Sequence, residues 1–71
     1  PEGVKMEYGK LAAQIGMRLK LEVIESARGF YIGTQTEYGE PVSRESNEYF
    51  DTEQQARAAL AGRLWTQKQN P

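Results

Sequence analysis

One stretch constrains the fold of this chain more than any other: Glu48-Tyr49-Phe50-Asp51-Thr52-Glu53-Gln54-Gln55-Ala56-Arg57-Ala58-Ala59-Leu60. Two aromatic residues end an extended segment, and Asp51 or Thr52 then caps a helix. Thr52 with Gln55 three positions on has the spacing of a capping box, in which the two side chains satisfy each other's backbone N–H groups. Ala56, Ala59, Leu60 and Leu64 fall on one narrow face of that helix, suited to close packing on a sheet. A strand that runs straight into such a helix has few options other than to lay the helix back across the sheet.

The preceding residues supply the sheet. Residues 17 to 25 alternate, with Leu19, Leu21 and Val23 on one side and Arg18, Lys20 and Glu22 on the other, so they read as a half-buried strand. Residues 26 to 29 form a turn, and Gly29 is free to take positive φ there. Residues 30 to 36 form a second strand with Phe30, Ile32 and Thr34 on the core face and Tyr31, Gly33 and Gln35 opposite. Glu37-Tyr38-Gly39-Glu40 holds the next turn. Pro41 opens a third, polar strand that suits an edge or an irregular path to Phe50, and its acids discourage edge-to-edge pairing. Gly62 ends or interrupts the last helix, after which Leu64 and Trp65 are expected to close the core.

Upstream, Val4, Tyr8, Leu11, Ala12 and Ile15 make the stripe of a short amphipathic helix, stopped by Gly16 as its C′ residue; the alternative is an extension ahead of Met17. The expected fold is α+β in two layers: a three-stranded antiparallel sheet packed by a C-terminal helix (βββα), or αβββα with the N-terminal helix. The organisation read is an N-terminal segment over 1–16, a single domain over 17–65 and a polar tail over 66–71.

Size and charge narrow the function classes. A 71-residue chain is one domain at most, and so small a core is marginal without a staple or a partner. With neither Cys nor His, disulfides, a structural zinc and Cys–His or Ser–His catalysis are excluded. Self-association is the device that remains. Nine basic residues against ten acidic ones argue against a dedicated polyanion binder. No apolar run is long enough to span a membrane, and no leader-like apolar segment opens the chain, so a cytoplasmic location is expected.

Candidate chemistry is sparse. Glu37 with Glu40, and Glu45 with Glu48, are carboxylate pairs of the kind acid–base chemistry uses, yet a chain this small has little room for the dry pocket that separates two pKa values. They read instead as a solvated acidic loop and edge. Ser43 and Ser46 have no His to activate them, and Gly29 to Gly33 lacks the Gly-Lys-Ser/Thr ending of a phosphate loop. No enzyme activity, cofactor, metal or small-molecule ligand is expected. Lys20, Arg28, Tyr31 and Arg44 share the sheet face away from the helix if the alternation holds. With Trp65 as an anchor, they are the candidate interaction residues.

The order strand, turn, strand, then aromatic-x-Thr-x-x-x-Ala resembles the arm-binding N-terminal domain of phage and transposon integrases, which implies a sheet laid in the DNA major groove. Glu40, Glu45 and Glu48 stand where those domains carry basic strand residues. The αβββα order also resembles a double-stranded-RNA-binding domain. The lysines that open that family's last helix are here Thr52-Glu53-Gln54-Gln55-Ala56-Arg57, and its loop histidine is absent. The expected role is a non-enzymatic interaction domain with a protein partner, itself included. The alternatives are a nucleic-acid-binding accessory domain, which the charge disfavours, and an acidic inhibitor of a basic nucleic-acid-binding protein through Glu37, Glu40, Glu45 and Glu48.

Overall fold

The computed structural model describes residues 7–71. Five elements follow in order: α1 (Lys10–Gln14), β1 (Glu22–Ser26), β2 (Gly29–Gln35), β3 (Pro41–Arg44) and α2 (Glu53–Gly62). The strands make one antiparallel sheet in the order β1-β2-β3. The chain thus adopts the αβββα form of the expected α+β fold.

Register sorts the side chains into two faces. Val23 lies opposite Ile32 and Ile24 opposite Tyr31, and the two-residue period places Val23, Phe30, Ile32 and Thr34 on one face and Ile24, Tyr31 and Gly33 on the other. Arg44 pairs with Gly33 and joins the second face. α2 covers the first: Leu60 shares a surface hollow with Leu21 and Val23, and Ala56, Ala59 and Ile32 are all buried. Alanine's small side chain lets the helix backbone approach the sheet, which is why the Ala stripe and the β-branched strand face belong together.

Thr52 caps α2 as its spacing predicts. Its Oγ1 accepts from Gln55 N at 3.1 Å, and Gln55 Oε1 accepts from Thr52 N at 3.3 Å. The helix ends at Gly62. Arg63 then takes the left-handed conformation at φ 57°, while Arg63 N donates to Leu60 O and Leu64 N to Ala59 O, the two closing bonds of a helix C-terminus. That reversal leads the chain off the helical face, so Leu64, expected to close the core, is 75 % exposed. Trp65 is half-buried beside Tyr8 and Leu21.

The N-terminal stripe is helical only in part. Gly16 is the C′ residue, with φ 83° and the bonds Gly16 N to Ala13 O and Met17 N to Ala12 O. Tyr8, however, is extended and bridges to Lys20; Val4 lies outside the described residues. Gly9 N donates to Leu19 O and Leu21 N to Glu7 O. Residues 19–21 therefore bond to residues 7–9, and β1 begins at Glu22 rather than at residue 17.

The third strand is interrupted. Glu45 N and Ser46 N both donate to Ile32 O, at 2.8 and 2.9 Å, and the chain bulges outward before Phe50 returns to pair with Phe30 in both directions. Ser46 Oγ accepts from Ile32 N at 3.0 Å, supplying the acceptor that the missing strand residue would have offered. The tail is docked as well: Asn47 N donates to Thr66 O and Lys68 N to Glu45 O.

Candidate interaction surface

Three of the five expected contact residues, Arg28, Tyr31 and Arg44, gather on the sheet face away from α2 around Tyr49, an aromatic strand end outside the expected set. Tyr31 itself is not exposed. It is 7 % accessible, and its ring lies along the sheet over Gly33, where a Cβ would come within 2.7 Å of Tyr31 Cε1. Glycine at 33 thus lets the ring lie down instead of standing out as a platform. Tyr49 meets it edge-on, centroids 5.9 Å apart and planes at 78°. Burial pushes the Tyr31 phenol up from its ordinary value, Tyr49 adds to this, and Arg44 opposes it.

Tyr49, half-buried, is the outer ring of the pair. The guanidinium of Arg28 lies 5.0 Å from its centroid and that of Arg44 4.8 Å, contacts worth about 0.5–1 kcal/mol each at partly exposed sites. Arg44 Nη1 also donates to Ser46 O at 2.7 Å and Asn47 O at 3.1 Å. Among the described residues neither arginine has a carboxylate at ion-pair distance. Phe50 bridges to Phe30, and alternation back from it puts Tyr49 on the Tyr31 face, a placement the polar residues 42–48 do not signal. Lys20 and Trp65 stand apart from this cluster. Lys20 is exposed beside Arg57 and Leu60, and Trp65 borders a hollow with Glu7, Tyr8 and Arg63.

The acids divide differently from their expected solvated loop. Glu45 is 0 % exposed. Its Oε1 accepts from Leu11 N at 3.0 Å and Gln67 Nε2 at 2.7 Å, and its Oε2 from Leu11 N, Ala12 N and Ser43 Oγ at 3.1, 3.1 and 2.6 Å. Since the Ser43 proton goes to Glu45, the 2.6 Å contact between Thr34 and Ser43 has Thr34 as donor. Burial alone would raise this carboxyl, but hydrogen bonds from Ser43, Leu11, Gln67 and Ala12 outweigh it and hold the pKa below 4.5. Glu48 accepts from the backbone and hydroxyl of Thr66, and its pKa is lowered by these bonds against the opposing effect of burial. Both groups therefore secure backbone, and only Glu37 and Glu40 of the acidic set face water.

Among the described residues no cluster of acids is placed to hold a metal ion, and no helix is long and apolar enough to cross a membrane. No family model, curated protein or solved structure matches this chain.

Proposed function

We propose that this chain is a non-enzymatic, cytoplasmic interaction domain whose partner is a protein, a second copy of itself included. The observation that carries the reading is the pair of guanidiniums on Tyr49, set at the surface with no carboxylate among the described residues to neutralise them. Arginine and tyrosine are the residues that interface centres favour. The acids that acid–base chemistry would need are committed elsewhere: Glu45 and Glu48 hold backbone N–H groups and do not face each other across a pocket. Sedimentation velocity between about 1 and about 100 μM, where specific association of this strength is measurable, should show a dimer. A chain that stays monomeric throughout removes the second copy from this reading.

The same uncompensated arginines favour one second reading, a nucleic-acid contact through Arg28, Arg44 and the more distant Lys20. Counterion release would then make affinity fall steeply with salt. Failure to retain either duplex or single strand at low ionic strength would end it. An inhibitor acting through its acids is left with Glu37 and Glu40 alone.

A further inference from the structure

We infer that the second copy docks by its Glu37-Tyr38-Gly39-Glu40 turn into the hollow between α1, β3 and the C-terminal segment; this rests on the self-association proposed above. The turn is a preformed knob. Tyr38 is 83 % exposed at its tip, between two exposed carboxylates. Thr36 N donates to Glu40 O at 2.8 Å and Gly39 N to Thr36 O at 2.9 Å. Thr36 Oγ1 accepts from Tyr38 N and Glu40 N, both at 3.2 Å, and Gly39 supplies the positive φ, 85°. A tip fixed in this way loses little freedom on docking.

The hollow has the complementary chemistry. Of about 320 Å³, it is walled by Leu11, Ile15 and Val42 and bordered by Arg44 and Lys68. Ile15 leaves 61 % of its surface in water. Lys68 Nζ donates to Asn70 O at 2.7 Å and has no carboxylate among the described residues. The Arg44 guanidinium lies over Tyr49, and of its nitrogens only Nη1 makes a hydrogen bond among the described residues. An apolar recess edged by two cations fits an aromatic side chain flanked by two acids, and the Tyr38 turn is such a segment.

The arrangement also closes on itself. Glu40 immediately precedes β3 and Arg44 ends it, four residues on, about 13 Å at the rise of a strand. A two-fold axis that sets two β3 strands antiparallel brings Glu40 of each copy toward Arg44 of the other. Both knobs and both hollows are then used, giving a closed dimer rather than an open fibre.

Sedimentation of variants tests this. Tyr38→Ala, at an exposed tip and with its fold checked by circular dichroism, should weaken the dimer at least about tenfold, the loss expected for a central aromatic anchor. Glu37→Lys with Glu40→Lys in one chain, and Lys68→Glu in another, should each associate poorly, while an equimolar mixture of the two should recover a heterodimer near wild-type strength. If the wild-type dimer persists in Tyr38→Ala and the mixture is no tighter than its components, the hollow is not the docking site although self-association stands. A wild-type chain that never dimerises overturns both.

Discussion

A carboxylate with no surface in water and no cation beside it is expensive unless every lone pair is used, and Glu45 meets that condition by gathering donors from three segments. Leu11 and Ala12 contribute backbone N–H groups at the start of α1, Ser43 comes from β3 and Gln67 from the tail. Either orientation of an amide at Glu45→Gln turns an NH2 toward existing donors, so that variant should lose about 1–3 kcal/mol in urea unfolding. The pH dependence follows from the lowered pKa values of Glu45 and Glu48. Their stabilisation is complete above the unfolded value near 4.5 and is lost as pH falls through the lower folded values. Melts between about pH 3 and about pH 7 should show this acid limb, shallower in Glu45→Gln. At Gly33 an added Cβ runs into Ser43 O and the Tyr31 ring, so Gly33→Ala should destabilise by about 1–3 kcal/mol, as overpacking does, and thermal melting would register it. None of this was legible locally. Glu45 reads as one more edge acid because three of its four donors, Leu11, Ala12 and Gln67, lie 22 to 34 residues away, and Tyr31 reads as exposed because alternation reports a side, not what covers it.

At the scale of elements, α2 was readable because its determinants are near neighbours in sequence. Thr52 and Gln55 form the capping box that their spacing predicts. Thr52→Ala should therefore cost about 1 kcal/mol. Gly62 lies within the helix, and a Cβ there meets only Leu64 carbons at 3.5 Å. Gly62→Ala should raise stability by about 0.5–1 kcal/mol, through helix propensity and a less free unfolded chain; paired denaturant titrations would measure both changes. The Gly16 stop was equally local. The start of α1 was not, since Tyr8 follows the helical stripe but is drawn into bonding with residues 19–21. The departure of β3 from the sheet was also hidden, because Ser46 replaces a ladder partner with a side chain, which no period of two announces.

For the whole molecule, the test of the proposed role is association rather than turnover. A dimer held by acid–base contacts at the rim of the hollow should weaken as ionic strength rises, because partly exposed charges are screened within about 8–10 Å at physiological salt; sedimentation at two salt concentrations would show the trend. The α+β class, the hairpin order, the two faces of the sheet and the cap of α2 are all written in the chain, since each depends on a repeat or spacing within a few residues. The burial of Glu45 and the bonding of Glu48 to the tail emerge only from the folded arrangement. That arrangement also decides that Tyr49 rather than Tyr31 carries the arginines, and that the tail lies docked along residues 45–47. These depend on which distant segments meet, and the same carboxylate is a solvated surface charge or a buried anchor according to whether a helix start and a tail amide arrive beside it.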